Sequence, residues 1–433
     1  MPWLRIHDAP AVADRLSASG AEALGATAAH GPARHRSLQA AFDWSYDLLD
    51  PDERRLFVGL SLFANGFDYR AVQSICEPLC KSGALKTCLS SLVEKHLVRR
   101  LDAGQVFGML EPIRQYAESK SAEVAELDEI SRRHAAYYSR AACALAAKLC
   151  GPDQGAALST LSEMRPNITR ALSWLRDRPR HDEPDAAEEG LRTVVDLVWF
   201  WHRSSTFSEG RRWVETFWDA SDEPRLVGRA WFVLGLLTFF LGVACRWLGA
   251  RDVGWRHGWE AIACARQSRS EPALVKALTV GTCTCGGSFP GEPPYDALRE
   301  ALDRAVALGD RYMIAWNYEG LATLSMRAED SGAAVDWGRK ALAAFDSIGD
   351  ELDSALMLAR VAGLSIGDER SGRLAGASLS ILSRLRQEEL SGAPRVEEAL
   401  STIEVLKRTH PVAFDAGRLL TRAEAVALTR EIA

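Results

Sequence analysis

From Ser37 onward the hydrophobic pattern sharpens: Leu38, Ala41, Phe42, Trp44, Ser45, Leu48 and Leu49 recur near helical spacing. Asp50-Pro51-Asp52-Glu53 then sets out an N-cap, a first-turn proline and early acids, the signature of a helix start. The helix it opens, residues 53–63, places Leu56, Phe57, Leu60 and Phe63 on one face, and Asn65-Gly66 ends it. Asp68 caps a predicted helix over 69–76, and Leu85, Leu89, Leu92 and Val93 form the stripe of another over 84–97. The period then changes. LVRRLDAGQVFGML reads as two short strands around Asp102-Ala103-Gly104, followed by a helix over 112–126.

Beyond residue 127 the pattern is helical and repetitive. Glu260-Ala-Ile-Ala-Cys-Ala-Arg, Glu300-Ala-Leu-Asp-Arg-Ala-Val and Lys340-Ala-Leu-Ala-Ala-Phe-Asp stand 40 residues apart. The later two copies run into Leu308-Gly309-Asp310 and Ile348-Gly349-Asp350, where glycine stops one helix before the next begins. Ala301 and Ala341 suit sites where paired helices approach closely, and Tyr318, Leu321, Ala322, Ala334 and Ala341 follow a tetratricopeptide-like pattern. CTCGGSFPGEPPYD (283–296) reads as a surface loop, and SGRLAGASLS (371–380) as an irregular stretch. Thr421-Arg-Ala-Glu424 is a capping box for a closing helix over 422–432. The expected fold is therefore mainly α: a winged-helix-like domain at 34–127, then an α-α superhelix, a TPR-like solenoid, at 128–433, with 1–33 a remnant helical linker.

Composition narrows the function. Apolar residues make up 47% and charged residues 25%, ordinary globular usage, and the formal charge of -6 gives no global attraction to polyphosphate. The apolar run 230–245 falls short of the roughly 20 residues that cross a bilayer, so it reads as a buried helix, and no membrane association is expected. The N-terminus lacks a secretory pattern, and nine scattered cysteines without CxxC spacing suit reduced thiols in a cytoplasmic protein with no metal site.

Four blocks in order, HRSLQAAFDWSYDLLDPDERRLF, SLFANGFD, LSSLVEKHLV and MLEPIRQYA, resemble the segment after the nucleotide-binding domain in bacterial STAND regulators of the NB-ARC and tetratricopeptide type. EMRPNITRALSWL, FSEGRRWVE and AFDAGRLLTRAEAVALTREI extend the resemblance over most of the chain from about residue 34. It implies a transcription-regulator lineage in which the winged helix is an internal switch element and an ATPase lies upstream. Gly20 to Thr27 has the spacing of a phosphate loop, but Ala26 stands where its lysine belongs and no strand precedes it. Met109, Leu110 and Glu111 occupy the place of the Met-His-Asp that related switches are thought to use on ADP, and Leu110 reads instead as a core residue. The sequence is expected to be either a truncated portion of a larger regulator or a homologue that has lost its ATPase.

No nucleophile elbow, HExxH motif, dinucleotide fingerprint or paired acidic motif occurs, so no catalytic residue and no cofactor is expected, and the chain is read as a non-enzyme. Its expected role is that of a regulatory sensor module whose helical repeats receive a protein partner or small-molecule inducer. Eight tryptophans between 199 and 259 mostly suit helix packing, and Trp199, Trp231, His202, Arg211, Arg212 and Arg229 are the candidate ligand site. His134, His202 and His257 otherwise read as structural. Lys86, Lys95, Arg99 and Arg100 are the candidate nucleic-acid contacts, although Asp52, Glu53, Glu94 and Asp102 interleave with them. The remaining alternatives are a signalling ATPase completed upstream or by another chain, and a winged-helix DNA reader.

Overall fold

The structure, a computed structural model, describes residues 42–101, 106–150, 152–178, 184–204, 206–220, 226–227, 229–231, 233, 261–267, 271–283, 295–385 and 394–431. The phosphate-loop-like stretch, the turn Asp102-Ala103-Gly104, most of the apolar run 230–245, Trp247, Trp255, Trp259 and His257 lie outside them. The chain divides into two compact units, residues 1–130 and 131–433.

In the first unit, helix α1 (Pro51–Leu60) starts where the capping signals place it. Asp50 Oδ1 accepts from the backbone N–H of Asp52 and Glu53, both at 2.9 Å, and Glu53 Oε2 accepts from Asp50 N–H at 2.9 Å. Such a box satisfies donors that a helix start leaves unpaired and stabilises it by about 1 kcal/mol. Strand β1 (Phe67–Asp68) leads into α2 (Tyr69–Cys76), capped by Asp68, and α3 (Leu85–Glu94) follows. Strands β2 (Arg99–Leu101) and β3 (Val106–Gly108) pair antiparallel, and β3 also takes β1, giving the sheet order β1-β3-β2 with Phe67 opposite Phe107. Leu56, Phe57, Leu60, Val72, Ile75 and Leu92 are fully buried between the helices and the sheet, each stabilising by about 1.5–3 kcal/mol.

Three expectations fail here. Trp44 and Leu48 are 67% and 58% exposed rather than inward, because Phe42, Tyr46 and Leu49 already supply that segment's inner face. Leu110 is 48% exposed at the N-cap of α4 (Glu111–Ser119), beyond the end of β3, and so is not a core residue. The helix expected over 112–126 stops at Ser119, whose hydroxyl donates to Tyr116 O at 2.6 Å in competition with the backbone ladder, and only a short 3-10 turn follows at Ser121–Glu123.

The second unit is a succession of helices: α5 (Leu127–Ala146, in whose first turn the division falls), α6 (Gln154–Arg176), α7 (Pro184–Asp196), α8 (Val198–Arg203) and α9 (Phe207–Thr216). Then come α10 (Glu271–Cys283), α11 (Tyr295–Leu308), α12 (Arg311–Arg327), α13 (Ser331–Ser347), α14 (Glu351–Leu364) and α15 (Glu369–Arg384). The chain closes with α16 (Pro394–Thr409), α17 (Pro411–Gly417) and α18 (Arg422–Leu428). From α10 to α15 each helix packs on the next, the arrangement of an α-helical solenoid. Glu300 and Lys340 occupy corresponding places in α11 and α13, and Ala301 and Ala341 are fully buried.

The turns between these helices repeat as well. Gly309 and Gly349 adopt φ of +67° and +74°, and Asp310 N–H and Asp350 N–H each return to a carbonyl five residues back, Ala305 O and Phe345 O, at 3.0 Å. The same two aspartates cap α12 and α14 through Met313 N–H and Asp353 N–H. SGRLAGASLS, expected to be irregular, is helical within α15. Added Cβ atoms at Gly376 and Gly417 would lie 2.1 Å from Phe414 O and Arg373 O, so these glycines mark backbones in direct contact between α15 and α17. Thr421 and Glu424 form the anticipated capping box on α18, which ends at Leu428 and gives way to a 3-10 turn.

Candidate functional site

The second unit encloses a buried network of charge. Arg203, the last residue of α8, sends Nη2 to Asp350 Oδ2 at 2.6 Å, Asp353 Oδ2 at 3.1 Å and Tyr312 Oη at 3.2 Å, while Nη1 donates to Gln154 Oε1 at 2.9 Å. Gln154 returns a bond to Asp350 Oδ1 at 2.9 Å. Arg395, on α16, bridges Asp353 Oδ1 at 2.7 Å and both oxygens of Glu319 at 2.8 and 2.7 Å. Arg360 joins Glu319 at 3.1 Å. Arg203, Arg360 and Arg395 are thus matched by Asp350, Asp353 and Glu319, which makes burial of so much charge tolerable.

The local fields follow from that matching. Burial pushes the Asp350 carboxyl above the usual carboxylate range even against Arg203, whereas at Asp353 the burial penalty is outweighed by Arg395 and Arg203 and the group is held below that range. Burial alone would depress Arg203 and Arg395, but their carboxylate partners hold both guanidiniums firmly charged. Tyr312 Oη, which also donates to Asp353 Oδ2 at 3.4 Å, is pushed upward by burial and stays a phenol. Arg203 Nε and Trp316 Nε1 are buried with no hydrogen-bond partner.

Tyr312 faces a second feature, a cavity of about 800 Å³. Its wall takes Cys143, Ala146, Ala147 and Cys150 from α5 and the turn after it, and Arg192, Val195 and Asp196 from α7. Val198 and Trp199 come from α8, Leu226, Arg229 and Val233 from the following segment, and Pro272, Ala273 and Lys276 from α10. Asp310, Tyr312 and Met313 at the start of α12 complete it. Trp199 packs edge-on against Tyr312, ring centres 5.2 Å apart, and Arg229 is ion-paired with Asp196. Burial pushes the Cys143 and Cys150 thiols up to about 12, so both present neutral S–H groups to the cavity.

Of the candidate ligand residues, Trp199 and Arg229 line this cavity. His202 lies behind it among the rings of Trp199, Trp316 and Phe207, where desolvation, then Arg395, lowers its imidazole to about 3. Arg211 pairs with Glu215 along α9 at 3.4 Å, Arg212 is exposed, and Trp231 stacks edge-on with Trp218 at 4.4 Å; none of the three lines the cavity. His134 is buried against Asn167 Oδ1 at 3.4 Å and lowered to about 3 by desolvation, a structural group. Sequence reading missed Tyr312, Asp353, Glu319 and Arg395 entirely and took Asp350 only as a turn residue. The one available signal was Asp350 with Asp353, a cap and an acid in the first turn after a glycine stop.

In the first unit, Lys86, Arg99 and Arg100 are exposed, with Arg100 over the Phe107 ring at 5.9 Å. Lys95 is engaged by Glu53 Oε2 at 2.6 Å, so its charge is already answered within the unit.

Among the described residues, no three or more His, Cys, Asp or Glu side chains are grouped to hold a metal ion, and no helix is long and apolar enough to cross a membrane. No family model matches the chain. It is 30% identical over 294 residues to a provisionally named HTH-type transcriptional regulator of Mycobacterium bovis and to two of Mycobacterium tuberculosis strains. The match takes in 65% of this chain and 31% of each relative, so the chain spans about a third of their length. A solved signal-transduction ATPase with numerous domains (STAND) from Pyrococcus horikoshii, bearing a tetratricopeptide repeat sensor, aligns over 90% of this chain and 67% of its own at 15% identity. The TM-score of that alignment is 0.38.

Proposed function

We propose that this chain is a non-catalytic regulatory module of a transcriptional regulator, in which the helical repeats of the second unit receive a small-molecule inducer. Similarity to named transcriptional regulators supports the regulatory part. The observation that carries the sensing part is the cavity of about 800 Å³, within the roughly 300–1,000 Å³ of small-molecule sites and walled by apolar and polar groups together. Tyr312 belongs both to that wall and to the charged network, so a ligand touching it meets the groups that tie α8 to α12 and α14. In this reading the first unit is a relay rather than a DNA reader, which the commitment of Lys95 to Glu53 favours.

The test is transcript profiling of the source cell with the wild-type chain, without it, and with Ala147→Trp, which fills the cavity from a solvent-accessible position. A defined set of transcripts is expected to change on deletion and to lose its response in the Ala147→Trp strain. Transcripts indifferent to deletion would overturn the regulatory role; a normal response in the Ala147→Trp strain would overturn the role of the cavity.

A further inference from the structure

The cavity sorts its chemistry along one wall. Cys143 and Cys150 are seven residues apart on α5 and the turn after it, a rise of about 10 Å at helical spacing, with Ala146 and Ala147 between them. The Cys143 end feels Asp196 and Arg229, and Arg192 lies one turn back from Asp196 on α7. The Cys150 end feels Arg203, answered by Asp350 and Asp353, and bonds Tyr312, with Trp199 edge-on to the tyrosine. The lining also carries apolar side chains, Val195, Val198 and Met313 among them.

The balance of charge selects the head group. The cavity is lined by the cations Arg192, Arg229 and Lys276 against the anions Asp196 and Asp310. Both anions are spoken for: Asp196 pairs with Arg229, and Asp310 Oδ1 accepts from Met313 N–H at 3.1 Å as the cap of α12. On the cationic side Arg229 is held by Asp196 and Arg192 by Glu188 Oε1 at 2.5 Å, which leaves Lys276, among the described residues, as the cation of the lining without an ion pair. An incoming cation therefore finds no uncommitted carboxylate, while an anion finds Lys276. An incoming carboxylate meets attraction, and the planar, forked guanidinium of Arg229 suits it in geometry as well as charge. A polyphosphate would bring more negative charge than this set answers and would leave the apolar lining unused.

We propose that the cavity binds an aromatic carboxylate, with its carboxyl group at Lys276 and Arg229 and its ring against Trp199 and Tyr312. This rests on the reading of the repeats as a small-molecule sensor and specifies the ligand class. Asp196 holds Arg229 in place and competes with the ligand for it.

The experiment is isothermal titration calorimetry of the full chain with three probes of one body and different head groups: indole-3-acetate, indole-3-acetamide and tryptamine. The acid is expected to bind at least tenfold more tightly than the amide, with the amine weakest. Arg229→Gln is expected to weaken the acid about tenfold and leave the amide unchanged, while Asp196→Asn strengthens the acid. The Asp196→Asn arm separates the head-group role from a merely structural one, since loss of the ion pair by itself raises no affinity. Equal binding of acid and amide, tightest binding of tryptamine, or no acid binding up to about 5 mM overturns the proposal. Such a failure leaves the sensor reading standing if Ala147→Trp still abolishes the transcript response. Loss of that response requirement, with the acid still preferred, is instead the failure of the sensor reading.

Discussion

Arg203 carries a full charge into the interior of the second unit, where its side chain is 2% exposed and those of Asp350 and Asp353 are 0% and 1% exposed. Taking such ions out of water costs several kcal/mol each, and only close pairing offsets it. Arg203→Met is therefore expected to lower stability by about 3–5 kcal/mol in urea denaturation, because it removes the ion partner of Asp350 and leaves Asp353 with Arg395 as its cation. The double variant Arg203→Met, Asp350→Asn is expected to recover a large part of that loss, since the unpaired charge goes with its partner. A single variant as stable as wild type would show that the network does not bear on folding. No local pattern announced this arrangement. An arginine after WFWH looks like any helix-end cation, and Gln154 meets Asp350 across 196 positions of chain.

At the scale of elements, the turns of the solenoid show how far local chemistry reaches. Glycine supplies the left-handed residue before Asp310 and Asp350, but Glu329 holds φ of +58° at the equivalent place before Asp330, with Asp330 N–H returning to Ser325 O at 3.0 Å. A side chain in that conformation costs roughly 1–2 kcal/mol that glycine avoids, partly offset by the extra freedom of glycine in the unfolded chain. Glu329 is exposed, so Glu329→Gly tests the turn without disturbing packing. It is expected to raise stability by about 0.5–1 kcal/mol, seen as a higher urea midpoint at unchanged slope. A lower midpoint would refute that account of the turn. Gly349→Ala would mislead as a converse test, since its Cβ also meets Pro152 at 2.9 Å. The glycines of α15 mark the limit of such reading. Gly372 and Gly376 weaken a helix on paper, yet their bare faces admit α17, and contact between the two helices outweighs propensity.

At the scale of the whole molecule, the chain offers two units of different construction, a small three-stranded sheet with its helices and a long helical repeat. The proposed role needs no nucleotide. Calorimetric titration with ATP and ADP is expected to give no binding tighter than about 10 µM, given Ala26 in place of the phosphate-loop lysine and the exposed Leu110 in place of a polar sensor. Tighter binding of either nucleotide would refute the non-catalytic reading and favour a signalling ATPase.

The sequence by itself determined the helix starts at Asp50, Asp68 and Thr421, the glycine stops at Gly309 and Gly349, the 40-residue period and the small buried residues that keep it. These depend on groups within a few residues of one another, where backbone donors, caps and periodicity act directly. Trp199 and Arg229 were among the candidates read from the sequence and line the cavity, but residue type alone does not separate them from Trp231, Arg211 and Arg212. Only the tertiary structure decided that Trp199 and Arg229 share a wall with Tyr312 and Lys276, that Arg211, Arg212 and Trp231 do not, and that three arginines and three acids neutralise one another in the interior. The physical reason is that a buried charge or a cavity wall is set by which distant helices the packing brings within a few ångströms, and no local pattern encodes that distance.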